Sequence, residues 1–297
     1  MPTFSPADPS FPEACARVTP PIDFLRVRGT LPGSFARAVA LVGTRSADEE
    51  ALGFTRRLAA ELAEAGCVIV SGGARGIDAA AHRGALDAGG VTVAVLASGF
   101  APPYPRGHGA LFDAIVERGG ALVSELPDGT PPLRGRFLAR NRVIAALSRV
   151  VVVIQAPIPS GALNTAATAR KLKIPVMSVP SAPWDVRSSG TLALIAGGAL
   201  VCTSARDVLS VPALSGRDVT DGPTTPSENI CDFSGFDPVA RQILQDLGSR
   251  PRHPDEIADR TGLSAREVQQ VVIRLLLEGL VEARPGGRFR LSRSPSY

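Results

Sequence analysis

Lysine is almost absent from this chain of 297 residues. Of its 32 basic residues only Lys171 and Lys173 are lysines; the rest are arginine. The excess has two readings: codon usage, or phosphate recognition, for which the planar guanidinium fork is suited. Position along the chain has to decide between them. Cysteine is also sparse. Cys15, Cys67, Cys202 and Cys231 are scattered with no C-x-x-C pair, which excludes a disulfide framework and a cysteine zinc site. Cys67 opens an apolar run and reads as a small core residue. The three histidines, His82, His108 and His253, lie far apart, and no metal-ligand spacing occurs. The longest purely aliphatic run, Val150 to Ile154, is far too short to cross a bilayer. The opening Met1-Pro2-Thr3-Phe4-Ser5-Pro6 lacks the basic and apolar regions of a signal peptide. No membrane partner, no metal, no cofactor and a reduced, cytoplasmic location are therefore expected. G-x-S-x-G, G-x-x-x-x-G-K-[ST] and G-x-G-x-x-G are missing as well.

What is present is ample apolar content, at 44%, for a core. From Val39 onward, short apolar runs alternate with helical segments. Strands are predicted at Ala38–Val42, Cys67–Val70, Val91–Leu96, Ala121–Val123, Val150–Ile154 and Pro175–Val179, with a further short one at Ala199–Val201. Helices are predicted at Asp48–Ala65, Asp78–Ala88, Gly109–Arg118, Ala139–Leu147 and Leu163–Arg170. Fully apolar short strands alternating with helices imply an α/β fold: a Rossmann-like, doubly wound, mostly parallel sheet covered on both faces. Ligands of such sheets bind outside the strand carboxyl ends, at the topological switch point.

Four segments are expected. Residues 1–35, rich in Pro and Ser, read as an extended lead-in with a short helical turn near Phe24. Residues 36–206 form the Rossmann-like domain. Residues 207–236, with Gly222-Pro223-Thr224-Thr225-Pro226-Ser227, read as a linker. Residues 237–292 carry helices at Pro238–Leu247, Pro254–Arg260 and Ala265–Leu277, then a hairpin about Pro285-Gly286-Gly287. Ser264 and Glu267 make a capping box for the third helix. Three helices and a hairpin of this size predict a small C-terminal winged-helix domain.

Four places carry candidate chemistry. Gly43-Thr44-Arg45 is a glycine turn after a strand, armed with an arginine. Ser71-Gly72-Gly73-Ala74-Arg75-Gly76-Ile77-Asp78 is a stronger signal: three glycines in five residues let a ligand approach the backbone, and Arg75 supplies charge. Asp78 reads first as a helix cap. The third is Arg134-Gly135-Arg136-Phe137-Leu138-Ala139-Arg140-Asn141-Arg142, four arginines around one aromatic and one Asn. Read as a helix start, Arg140 and Arg142 are cations at a disfavoured end, a cost that a bound anion offsets. Ser160-Gly161 opens the next helix, where it is either a plain N-cap or a further phosphate contact.

These residues, in this order, resemble the DNA-processing family called DprA or Smf. The likeness rests on Val42-Gly43-Thr44-Arg45, Ser71-Gly72-Gly73-Ala74-Arg75-Gly76-Ile77-Asp78-Ala79-Ala80-Ala81-His82, Tyr104-Pro105, Ser124-Glu125-Leu126-Pro127, Phe137-Leu138-Ala139-Arg140-Asn141-Arg142 and Ser160-Gly161-Ala162-Leu163. It covers about residues 36–206, and the winged-helix tail fits the family's C-terminal module. The resemblance implies a single-stranded DNA binder that protects incoming DNA in natural transformation and loads the recombinase RecA, acting as a homodimer. It carries the pocket onto Gly43, Arg45, Ser71, Gly73, Arg75, Arg140, Asn141 and Ser160. With Thr44, Gly72, Phe137, Arg142 and Gly161 these make up the expected DNA- and phosphate-binding set. The chain departs from the family pattern at Pro180-Ser181, at Gly190-Thr191-Leu192, and in an N-terminal helical domain missing or reduced to residues 1–35.

Two other classes compete. A phosphoribohydrolase of the same broad superfamily needs a glutamate after its second Gly-rich loop, and Gly161-Ala162-Leu163-Asn164-Thr165-Ala166-Ala167 has none. A nucleotide-sensing regulator needs a basic recognition helix, but Arg266 and Arg274 are diluted by Glu267 and Glu278. A non-enzymatic single-stranded DNA binder is the leading expectation.

Overall fold

The computed structural model describes residues 2–9, 11–214, 237–247, 251–277, 280–284 and 287–291. The chain divides into two compact units, Met1–Val219 and Thr220–Tyr297. The expected linker motif at 222–227, Cys231 and the hairpin tip at 285–286 lie outside the described residues.

The first unit starts earlier than the sequence reading places it. β1 (Thr3–Phe4) and β2 (Leu25–Gly29) flank a short helix α1 (Ala14–Arg17), and β2 pairs antiparallel with a core strand of the sheet. The lead-in expected at residues 1–35 is therefore part of the domain. Phe4, Cys15, Ile22, Leu25 and Val27 are buried in its main core. No helical turn forms at Phe24, which lies exposed just before β2. The reason is legible afterwards: Leu25 and Val27 face inward while Arg26 and Arg28 do not, a strand alternation hidden among prolines.

The central pattern follows the apolar runs. β3 (Ala38–Val42), α2 (Glu49–Glu64), β4 (Val68–Ser71), α3 (Ile77–Asp87), β5 (Thr92–Val95), α4 (Gly109–Glu117) and β6 (Ala121–Ser124) come first. α5 (Arg134–Ala146), β7 (Val150–Val153), α6 (Gly161–Lys171), β8 (Val176–Ser178), α7 (Ser189–Ala196), β9 (Leu200–Val201) and α8 (Ala205–Leu209) follow. Among the described residues the sheet runs β1-β2-β6-β5-β4-β3-β7-β8-β9, parallel from β6 to β9. Every residue of β3 and β7 is buried, as strands covered on both faces require. α2 shows the matching helical stripe: Thr55, Leu58, Ala59, Leu62 and Ala63 are buried, and Asp48 caps its start by accepting from the Ala51 N–H at 2.8 Å.

The domain also ends later than residue 206. Val208 on α8, with Val211 and Leu214 after it, joins the second core face, and Arg37 donates to the Leu214 carbonyl at 3.2 Å.

The second unit holds α9 (Pro238–Leu247), α10 (Pro254–Thr261), α11 (Ala265–Leu277) and an antiparallel pair, β10 (Val281–Arg284) with β11 (Arg288–Leu291). Ile243, Leu244, Ile257, Val268, Val272 and Leu275 form its own core. The Ser264–Glu267 capping box is present, with the Ser264 N–H and hydroxyl donating to Glu267 at 2.9 and 2.6 Å.

Candidate nucleic-acid interface

From β3 the chain winds outward through β4, β5 and β6; β7 then lies on the other side of β3. The carboxyl ends of β3 and β7 are thus the switch point, where the loops must diverge and leave a crevice. A cavity of about 620 Å³ opens there.

Two turns build its floor. Gly43 follows β3 with no room for a side chain: a Cβ there would meet Ile77 Cγ1 at 2.5 Å and the Gln155 carbonyl at 2.9 Å. Thr44 then donates its N–H to the Gln155 carbonyl at 2.7 Å and accepts from the Ile77 N–H at 3.2 Å. The turn after β3 is thereby tied to both the loop after β7 and the start of α3. Gly76, at φ 73° and ψ −128°, occupies backbone space closed to other residues and lets α3 begin against Thr44.

The cavity brings together eight of the residues expected from the sequence: Gly43, Thr44 and Arg45 from the β3 turn, Phe137, Arg140 and Asn141 from α5, and Ser160 and Gly161 at the start of α6. Arg45 is exposed and lies 4.4 Å over the Phe137 ring. Its flat face is covered by the aromatic, while its N–H edge remains open to an anion. Ser160 caps α6 by accepting from the Leu163 N–H at 3.4 Å. The α6 N-terminus, with its partial positive charge, lines the cavity.

Arg140 and Asn141 line the cavity and in addition make contacts that their sequence does not announce. α5 starts at Arg134, so the cations of its first turn are Arg134 and Arg136, and Arg140 sits well inside the helix. The Arg140 guanidinium is buried and donates to the carbonyls of Gly72 and Val95. Its Nε donates to Asn141 Oδ1 at 3.3 Å, and Asn141 Nδ2 donates to the Gly161 carbonyl at 3.0 Å. This relay fixes the glycine turn, the end of β5 and the start of α6 to one helix. Burial lowers the Arg140 pKa to about 10, opposed by the nearby Asp78 carboxylate, so the group stays charged at neutral pH.

Five expected residues do not line the cavity. Ser71 is fully buried and donates to the Leu41 carbonyl at 2.6 Å. Gly72 and Gly73 are buried, with the Gly73 carbonyl 2.9 Å from His108 Nδ1. Arg142 is buried against Glu125 at 2.6 Å. Arg75 is exposed on the turn between β4 and α3.

The cavity also recruits residues the expected set leaves out. Arg134, Leu138, Pro157 and Pro159 form part of its wall. Asp78 lines it too, as a buried carboxylate that accepts from the Ala74 N–H at 3.2 Å and not as the N-cap of α3, a place Gly76 holds. Burial raises the Asp78 pKa, against the pull of Arg140. Asp78 belongs to the glycine motif, but nothing in its spacing separates a helix cap from a cavity wall.

Family comparisons agree with this architecture. Residues 3–212 match the model described as DNA recombination-mediator protein A, and residues 223–287 match the DprA winged helix domain. A putative DNA processing protein DprA of Mycobacterium tuberculosis is 42% identical over 259 residues, covering 87% of this chain and 65% of that protein. The chain thus spans just under two thirds of that relative's length. Protein Smf of Escherichia coli is 35% identical over 294 residues, covering 97% of this chain and 77% of that protein. Among solved structures, DNA processing protein A of Streptococcus pneumoniae aligns with a TM-score of 0.64 at 35% identity, over 70% of this chain and 73% of that one. The Helicobacter pylori counterpart, described for its single-stranded DNA binding mode, aligns with a TM-score of 0.62 at 31% identity, over 70% and 93%. This chain belongs to the DNA recombination-mediator protein A family.

Proposed function

We propose that this protein binds single-stranded DNA, protects it on entry in natural transformation, and helps load RecA for recombination, acting as a homodimer in the cytoplasm. The observation that carries the reading is the convergence of Arg45, Arg134 and the α6 N-terminus on one cavity at the switch point. That set is built for phosphate: guanidinium edges and free backbone N–H groups in a recess. A flexible strand can thread phosphates into such a recess; a rigid duplex cannot. The single-stranded DNA binding described for the H. pylori relative supports the same assignment.

In this reading Arg45 contacts phosphate directly, and Arg75 extends the positive surface beside the glycine turn. Gly43, Thr44, Phe137, Ser160 and Gly161 shape the wall. Arg140 and Asn141 hold the loops in register from behind, as do Gly72, Gly73 and Ser71; Arg142 secures α5 from within. The activity is binding without bond cleavage. Asp78 is the one carboxylate among the cavity's lining residues, and it is engaged by a backbone N–H.

The homodimer is supported by the sheet edge. On β9, Leu200 and Val201 are 50% and 46% exposed, an apolar edge strand that a second copy would cover. The winged helix contributes little electrostatic affinity in this account, because Arg274 on α11 is already paired with Asp237 and Arg266 stands beside Glu267.

Equilibrium binding to single-stranded DNA of arbitrary sequence, to duplex DNA and to mononucleotides, measured side by side, tests the reading. Single strands are expected to bind most tightly. Release of free base from the mononucleotide would instead assign the cavity to a phosphoribohydrolase, and tighter, sequence-selective duplex binding would assign the tail to a regulator.

A further inference from the structure

Tyr104 belongs to a motif the family resemblance rests on, yet it does not line the cavity, and the reading above gives it no role. It sits on the loop between β5 and α4 with 38% of its surface exposed. Its ring centroid is 5.8 Å from that of Phe137, at an interplanar angle of 59°. Phe137 in turn lines the cavity and carries the Arg45 guanidinium 4.4 Å over its ring. Three planar groups are therefore joined in a row of contacts through Phe137: Arg45 and Phe137 line the cavity, and Tyr104 does not.

The loop that presents Tyr104 is held firmly. Asp128 Oδ1 accepts from the N–H groups of Phe100 and Ala101 at 2.7 and 3.2 Å, and Gly129 donates its N–H to the Ala101 carbonyl at 2.8 Å. On the following side, His108 donates its N–H to the Pro105 carbonyl at 2.9 Å. Two cations lie close along the chain to the two rings: Arg106 follows Tyr104, and Arg134 precedes Phe137 by one helical turn. Arg106, two residues on, and Arg134 are exposed, and among the described residues neither forms an ion pair. An exposed, pre-positioned ring with exposed arginines nearby in the chain suits a nucleobase better than an aliphatic partner. Every base offers a π-face to stack, and its own phosphate is drawn to the neighbouring cations.

We infer that Tyr104 is a base-stacking residue for single-stranded nucleic acid, taking the nucleotide next outside the cavity, with Phe137 as its brace. The inference rests on the reading of the cavity as a single-stranded DNA site. It divides the labour along the row. The Arg45 edge takes phosphate, Phe137 fills the space between, and Tyr104 offers the free aromatic face.

The test compares a fluorescently labelled thymidine oligomer with an abasic oligomer of the same length, bound to the wild type, Tyr104→Ala and Tyr104→Phe. Binding is followed by anisotropy and folding by thermal melting. Tyr104→Ala is expected to lose about tenfold or more in affinity for the thymidine oligomer, roughly what one stacked base contributes. It should change affinity for the abasic oligomer less than twofold. Tyr104→Phe should bind both like the wild type, because the ring and not the hydroxyl is at work. Wild-type affinity of Tyr104→Ala for the thymidine oligomer, or an equal loss on both oligomers, would overturn the stacking role and leave the DNA-binding reading standing. Failure of the wild type to bind either oligomer would overturn both.

Discussion

The guanidinium of Arg140 is buried behind the glycine turn and donates to the carbonyl of Gly72, 68 positions earlier in the chain. The same nitrogen also donates to the carbonyl of Val95. A charge placed this way orders the backbone of the site from within, while its cavity face adds positive potential. It also acts on Asp78, favouring the charged form of that carboxyl against the cost of burial.

Arg140→Ala should therefore cost folding stability as well as DNA affinity. It leaves two carbonyls without their donor and Asp78 without the cation that most favours its charged form. Removing one partner of such a buried set costs about 3–5 kcal/mol. Chemical denaturation of the variant checks this. A midpoint equal to that of the wild type would mean that Arg140 serves the ligand and not the fold.

His82 should set an acid limit on stability. Its Nδ1 lies 2.7 Å from the Thr92 hydroxyl, which itself donates to the Ile69 carbonyl, so Nδ1 carries a proton, while the buried Nε2 has no hydrogen-bond partner to hold a second one. Burial pushes its pKa down from 6.5 to about 3. A depressed pKa contributes stability that is fully present above pH 6.5 and is lost as pH falls toward 3, by about 1.4 kcal/mol per pH unit. His82→Gln should flatten that slope between pH 6.5 and 4.5. A pH profile unchanged by the substitution would show that other groups govern acid unfolding.

The domain limits predict how the chain can be shortened. Residues 1–214 should fold and keep single-stranded DNA affinity within tenfold, because every cavity-lining residue lies between Val42 and Thr165. Cutting to residues 37–206 should, by contrast, destabilise the fold. It removes Phe4, Ile22 and Leu25 from one core face and Val208, Val211 and Leu214 from the other. Each such side chain contributes roughly 1.5–3 kcal/mol when buried. Circular dichroism and thermal melting of the two shortened chains decide the matter: a stable 37–206 fragment would contradict the packing described here.

Much of this architecture is legible in the sequence. The apolar runs at Ala38–Val42 and Val150–Val153 mark the two strands of the switch point, and the glycines at 43, 72, 73 and 76 mark the turns that follow strands. Charge alone was a poorer guide. Nothing local distinguishes Arg45, which lies exposed over Phe137, from Arg140 and Arg142, which point into the interior. That difference depends on carbonyls and a carboxylate brought in from Gly72, Val95 and Glu125. The strand at Leu25–Gly29 was obscured for another reason. Prolines lie on either side at Pro20, Pro21 and Pro32, and besides the two-residue β1 its partner is β6, nearly a hundred residues later.

The claim that the switch-point cavity binds DNA phosphate is tested most directly by a salt titration of single-stranded DNA binding, for the wild type and Arg45→Ala on the same oligomer. Log affinity should fall linearly with log salt, by about 0.7 per neutralised phosphate. Arg45→Ala should weaken binding by about tenfold or more and reduce the steepness by about one such step, with an unchanged melting temperature. The same affinity and the same slope in both proteins would contradict the account.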